Sequence, residues 1–315
     1  MFEIRQYSPA DARSWNEFIA RSKNGTFLFD RRYMDYHADR FSDCSLIITD
    51  SDGRWVAVLP ANRADDALIS HGGLTYGGLI CDAEMTTARM IDLFPPLLRY
   101  LADAGIAQLE YKTVPTIYHR MPAEEDRFAL FLHNARLSRR DVLSVVDLAV
   151  ERRIQERRQR GARKAASAGI LVEESNDWHS FWEVLTVNIL ERFGRHPVHS
   201  ADEIMRLNRD FPANIRLFVA RRAQAVLGGV VLYLWDRTAH VQYIGSSAEG
   251  RQTGALDLLF AKLIDDFRDY RYFDFGISNE GDGRIYNRGL NEFKDGFGGR
   301  AVVHDHYVLP VAAGG

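Results

Sequence analysis

Two stretches of this chain, offset by roughly 160 to 170 residues, carry the same succession of hydrophobic patterns, and that repeat limits the fold more than any single motif does. The first begins with a strand pattern, FEIRQY, and a helix with Trp15, Phe18 and Ile19 at helical spacing. An apolar hairpin follows, SLIITDSDGRWVAVLPAN, turning at DSDG. Then come an apolar strand region (ISHGGLTYGGLI), an amphipathic helix (RMIDLFPPLLRYLADAG) and a strand (IAQLEYKTV). Pro95 and Pro96 are expected to kink or shorten that helix. The second stretch repeats the order: strand GILVEES, helix DWHSFWEVLTVNILERF, hairpin IRLFVARRAQAVLGGVVLYLWD, strand HVQYIGSS, helix ALDLLFAKLIDDFRDY, strand YFDFGIS. The hairpins require antiparallel strands, and a helix crossing between the last two strands of each stretch requires a parallel pair. The expected class is α/β (α+β), with two tandem domains at 1–147 and 148–315, each a mostly antiparallel twisted sheet flanked by helices. The segment KTVPTIYHRMPAEEDRFALFLHNARLSRRDVLSVVDLAV reads as extra strands or a connecting element.

Composition agrees and removes whole classes of function. The 315 residues suit about two domains, and 46% apolar content supplies their cores. A formal net charge of −3 argues against bulk binding of DNA, so any phosphate contact must come from a local patch. Cys44 and Cys81 form neither a CxxC pair nor a disulfide framework. No signal-like apolar run opens the chain, and no stretch reaches the ~18–20 apolar residues that span a bilayer. A cytoplasmic protein without membrane insertion is the expectation.

The tandem halves, the basic segment RRQRGARKAASAGILVEE between them and the terminal GLNEFKDGFGG resemble the FemABX-like branch of the GNAT-fold acyltransferases. DRRYMDYHADRFSD, SHGGLTYGGLI, RHPVHSADEI and VVHDHYVL resemble the bacterial members associated with cell-surface polysaccharide biosynthesis. The resemblance covers nearly the whole chain. It implies an N-acyltransferase that moves an acyl group from acetyl-CoA or another acyl-CoA to the amine of a phosphate-bearing acceptor, such as a nucleotide-linked amino sugar. It also implies two alternatives: aminoacyl-tRNA as donor, or a catalytically silent protein that binds sugar nucleotides. The first half would take the acceptor side, the second the donor side.

The resemblance further implies that Lys294, following Phe293 in NEFKDGFGG, lies at the catalytic centre. Chemistry supplies a reason, because aminolysis of a thioester or ester passes through an oxyanion that an ammonium stabilises. The GNAT pyrophosphate loop, [RQ]-x-x-G-x-[GA], has a partial match in Arg251, Gln252, Thr253, Gly254 and Ala255, with Leu256 in place of the last small residue.

Other candidates come from the residues themselves. In SHGGLTYGGL, glycine pairs flank a stretch that would present His71 and Tyr76 to a ligand, with His71 able to accept a proton; close packing of the glycines is the competing reading. ERFGRHPVHS places Glu191, His196 and His199 at a helix end, as candidate general bases on a substrate-facing loop or as a structural helix cap. His196 and His199 straddle Pro197 with no third ligand apparent, so no metal is expected. The basic run from Arg152 to Lys164 reads as a solvated helix face or a phosphate landing site, for which Arg160 and Arg163 are the candidates. Tyr36 and His37 are candidate acceptor contacts, on a spacing that fits core packing equally well.

Overall fold

The computed structural model describes residues 2–311. The chain divides into two compact units. Unit 1 holds the residues up to Asp141, with Asp282–Arg284 and the chain from Val303 onward; unit 2 holds Val142–Gly281 and Ile285–Val302.

Unit 1 opens with β1 (Glu3–Gln6) and α1 (Ala12–Arg21), whose buried face is Trp15, Phe18 and Ile19. Strands β2 (Leu46–Thr49) and β3 (Trp55–Leu59) form the hairpin, and β1, β2, β3 and Ile80–Cys81 make a four-stranded antiparallel sheet. Helix α2 (Thr87–Asp103) crosses from the short strand Ala67–Ile69 to β4 (Gln108–Lys112), which pair in parallel. On its other side β4 pairs antiparallel with His306–Pro310. The prolines do not shorten α2: it runs 17 residues with Pro95 and Pro96 inside it. Each interior proline costs about 3 kcal/mol. Fully buried Leu93, Phe94 and Leu97 offset this, at about 1.5–3 kcal/mol per large apolar side chain.

The region expected as a strand, ISHGGLTYGGLI, is instead a loop between Ala67–Ile69 and Ile80–Cys81. Its glycines admit close neighbours: a Cβ on Gly77 would stand 2.1 Å from the Ser70 carbonyl oxygen, and one on Gly73 would stand 2.5 Å from the Phe41 ring. The connecting segment resolves into helix α3 (Glu125–Leu132) and strand β5 (Arg136–Asp147), whose last six residues belong to unit 2.

In unit 2, α4 (Glu156–Ser167) is followed by β6 (Leu171–Ser175), α5 (Trp178–Phe193) and α6 (Ala201–Asp210). Gly194, at φ 63°, ends α5 in a left-handed cap that suits glycine. Strands β7 (Ile215–Arg222), β8 (Ala225–Trp235) and β9 (Thr238–Ser246) extend β6 as an antiparallel meander. The chain continues through α7 (Ala248–Thr253) and α8 (Ala255–Asp266) to β10 (Tyr272–Ile277), parallel to β9 and antiparallel to Leu143–Asp147 of β5. Helix α9 (Arg288–Asp295) precedes β11 (Arg300–Pro310), which passes from unit 2 into unit 1 at Val303. The rings of Phe260, Phe275, Phe293 and Phe297 pack α8, β10 and α9 together, with centroids 4.8–5.9 Å apart in their pairs around Phe260.

Candidate active site

The site in unit 2 starts from a broken ladder. Parallel pairing of β9 with β10 covers Thr238 to His240 against Tyr272 to Asp274 and stops there. Beyond it β10 bulges: Gly276 takes φ 71°, and the register against β5 slips between Asp274 and Ile277. That edge of β9 from Val241 to Ser246 is therefore not covered by β10. A cavity of about 720 Å³ opens beside it. Ile244, Gly245 and Ser246 form its floor, and its walls come from Arg157 and Arg158 of α4, Asn188 and Arg192 of α5, Arg251 of α7, and Leu290, Glu292 and Phe293 of α9. The volume is that of a small-molecule site.

Four guanidinium groups give the cavity its charge. Arg158 is buried, donates from Nη1 to Asp257 Oδ1 at 2.6 Å, and lies 4.9 Å above the Phe293 ring. Arg251 donates to the Ser246 carbonyl at 3.0 Å and to Glu191 at 3.4 Å, while Arg157 and Arg192 are exposed. Two carboxylates line the space, Asp257 and Glu292. Burial pushes the Asp257 carboxyl upward and Arg158 opposes the shift. With Asp257 committed to Arg158, Glu292 is the lining carboxylate that remains for substrate.

Lys294 sits on helix α9, and the helix divides its faces: Gly289, Leu290, Glu292 and Phe293 line the cavity, whereas Asn291 and Lys294 are buried. The Lys294 ammonium donates to the carbonyls of Gly276 at 3.0 Å and Ile277 at 2.5 Å. These are the groups the β10 bulge turns out of its ladder. Burial lowers the lysine to about 8, against the attraction of Asp274. Beneath the bulge, the buried Asp274 accepts from Gly276 N–H at 2.7 Å and pairs with His240 Nδ1 at 2.7 Å.

The other sequence candidates are dispersed. Glu191 meets Arg251, His196 is exposed, and His199 is buried with Nδ1 2.5 Å from the Tyr243 hydroxyl. Among the described residues, His196 and His199 are not part of any three-ligand cluster. Gly254 lines the cavity at φ 82°, ending α7 and starting α8; Thr253 bonds back to Glu249 at 2.9 Å, the Gln252 carbonyl accepts from Lys164 at 2.8 Å, and Ala255 is buried. Arg160 and Arg163 lie on the exposed face of α4, where Arg163 pairs with Glu156 at 2.6 Å. Phe293 forms part of the cavity wall. In unit 1, His71 is buried at φ 55° beside Phe41, and Tyr76 is buried, its ring tilted against that of Tyr118 with centroids 4.5 Å apart and its hydroxyl bonded to Thr26. Tyr36 is half-buried, and the side chain of His37 lies outside the described residues. Sequence reading passed over Glu292, the Arg158–Asp257 pair and the His240–Asp274 pair. A helical projection of RGLNEFKD, with Glu292 and Phe293 on the face opposite Lys294, was the signal available for the first.

Residues 152–294, which contain the cavity and Lys294, match the acetyltransferase (GNAT) domain family. This segment belongs to the GNAT acetyltransferase family. Over the whole length the fold resembles that of solved structures. FemX superposes with a TM-score of 0.66 at 12% identity, over 96% of each chain. L-PGS from Bacillus licheniformis gives 0.61 at 13%, over 96% of this chain and 91% of that one. A tandem GNAT protein from the clavulanic acid biosynthesis pathway gives 0.56 at 12%, over all of both chains. No curated protein matches the sequence. No helix among the described residues is long and apolar enough to cross a membrane.

Proposed function

We propose that this GNAT acyltransferase binds a phosphate-bearing acyl donor in the unit 2 cavity and transfers the acyl group to a primary amine. The observation that carries the reading is the meeting of an uncovered strand edge with four arginines in one cavity. An acyl-CoA fits both parts. Its pantetheine amides can extend the β9 edge as an added strand would, and its phosphates suit Arg157, Arg192 and Arg251. In the reaction the amine nitrogen attacks the thioester carbonyl, the C–N bond forms, and the C–S bond breaks to release the CoA thiol. Glu292 takes the proton lost by the amine and returns it to the departing CoA thiolate, which leaves as the thiol. Backbone N–H groups on the β9 edge stabilise the oxyanion. Lys294 is a positioning residue that holds the bulge from which that edge diverges.

A second donor, aminoacyl-tRNA, is favoured by one observation. The start of α8, where a helix N-terminus would grip a pyrophosphate, is already filled. Asp257 occupies its first turn in partnership with Arg158, and α4 lies so close that a Cβ on Gly254 would stand 2.7 Å from the Gly161 carbonyl. Calorimetric titration with acetyl-CoA, of the wild type and of Arg157→Ala/Arg192→Ala, separates the two. Binding that weakens at least tenfold in the double variant supports acyl-CoA, and the acceptor screen then begins with nucleotide-linked amino sugars in the cytoplasmic pool. If acetyl-CoA fails to bind while charged tRNA does, the acyl-CoA reading is refuted.

A further inference from the structure

On a β-strand, residues two apart share a face. In the unit 1 part of β11, His304 and His306 are such a pair, with Asp305 and Tyr307 at the alternate positions. Arg139 and Asp141 are another such pair, at the unit 1 end of β5. The alternation sorts their contacts: Arg140 pairs with Asp305 at 2.6 Å, whereas Asp141 meets His306. The two imidazole rings lie 4.6 Å apart, and one ligand atom from each of Asp141, His304 and His306 falls within 4.8 Å of the others.

Two details of this cluster are poor for hydrogen bonding and good for coordination, and two hydrogen bonds around it orient its ligands. His306 Nε2 is 3.5 Å from Asp141 Oδ2, long for a charge-assisted hydrogen bond. It is close to the ~3.3 Å that separates two ligand atoms held at about 2.0–2.1 Å in a tetrahedron. His304, 3% exposed, has no protein partner at Nε2, although a buried polar nitrogen ordinarily finds one. Its other nitrogen is bonded to the Thr113 backbone, the arrangement that orients a metal-ligating imidazole. Arg139 Nε donates to both Asp141 oxygens, at 2.9 and 3.0 Å, and fixes the carboxylate in place.

We propose that Asp141, His304 and His306 bind one divalent transition-metal ion, zinc being the species that the donor set fits, with a fourth position open to water. Two nitrogens and one oxygen select against magnesium and calcium, which take oxygen ligands. Arg139 and the nearby Lys112 place positive charge beside the ion, so affinity is moderate rather than extreme. The His306 side chain, 19% exposed, provides the path of entry. The ion would clamp β5 to β11 within unit 1, away from the acyl-transfer cavity of unit 2.

The test uses the untagged full-length protein, stripped with chelator and dialysed. Expected are uptake of one equivalent of zinc in calorimetry, a raised Tm with zinc but not with magnesium, and visible d–d bands from cobalt(II). His306→Gln, at the most exposed ligand, should bind zinc at least tenfold more weakly. His196→Gln in unit 2 should bind as the wild type does. The proposal is overturned if the wild type takes up no stoichiometric zinc and shows no cobalt bands. It is equally overturned if folded His306→Gln and His304→Gln both keep wild-type uptake. The wild-type measurements decide the matter even if a variant fails to fold.

Discussion

Replacing Lys294 with methionine keeps an unbranched side chain out to Cε and removes the two hydrogen bonds that tie α9 to the β10 bulge. Hydrogen bonds from a charged donor contribute about 1.5–3 kcal/mol each, so the pair contributes about 3–6 kcal/mol before costs. The cost can be read from the lysine itself. Burial lowers it from 10.5 to about 8, and at about 1.4 kcal/mol per unit the buried ammonium gives up about 3 kcal/mol at neutral pH. Lys294→Met should therefore be destabilised by only about 0–3 kcal/mol at pH 7. The difference then depends on pH. The folded lysine loses its proton near 8 and the unfolded one near 10.5, so between those values the unfolded chain holds more protons and wild-type stability rises with pH. The neutral amine still donates both hydrogen bonds. Between pH 7 and pH 10 the gap between wild type and Lys294→Met should widen by about 2.5 kcal/mol. Other groups titrating in that range, Lys112 among them, cancel in the difference between the two proteins. Urea unfolding at pH 7, 8.5 and 10 measures it. A gap that stays constant or narrows would refute the account of Lys294 as a buried ammonium pinned to two carbonyls.

Four further outcomes follow from the site. Glu292→Gln should lower kcat by about 10²–10⁴-fold with little change in donor affinity, if Glu292 is the base; steady-state kinetics with an amine acceptor checks it. Arg157→Ala/Arg192→Ala should bind donor more weakly and with a shallower salt dependence, which titrations at two ionic strengths will show. Gly276→Ala has room for its Cβ, the nearest neighbour being His240 Cε1 at 3.4 Å, so its loss should be the backbone cost alone, about 1–2 kcal/mol in thermal unfolding. Gly296→Ala instead meets Arg158 Cγ at 2.9 Å and should displace the guanidinium from Asp257, lowering stability by about 1–3 kcal/mol together with donor affinity.

Much of the fold was legible because its signals are local. DSDG marks a hairpin wherever it occurs, and Trp15, Phe18 and Ile19 mark a helix face. The errors arose where a distant neighbour overrides a local preference. Pro95 and Pro96 stay inside α2 because Leu93, Phe94 and Leu97 are buried on either side of them. SHGGLTYGGL reads as a strand in isolation, yet Phe41, outside the stretch, presses on Gly73, and Ser70 folds back onto Gly77, as a loop allows. Lys294 was conspicuous in the sequence, but its acceptors lie 17 and 18 residues away, on carbonyls exposed by the bulge at Gly276.

The R-x-x-G segment shows why a motif match is not yet a site. As a string, Arg251 to Gly254 is compatible with an open phosphate loop, and Gly254 has the left-handed φ such a turn needs. Whether the following helix can accept an anion depends on what stands at its first turn. Here that turn carries Asp257, bound to an arginine 99 residues earlier in the chain, on a helix whose Gly161 admits close packing. A Cβ at Gly161 would fall 2.0 Å from Asp257 Oδ2, so even Gly161→Ala must displace that carboxylate. It should therefore break the Arg158–Asp257 pair from the outside while leaving the R-x-x-G residues untouched. If donor affinity rises in that variant, Asp257 competes with phosphate at the α8 terminus. If affinity falls, the pair holds Arg158 in the position the donor needs, and the terminus itself is not where the phosphate binds.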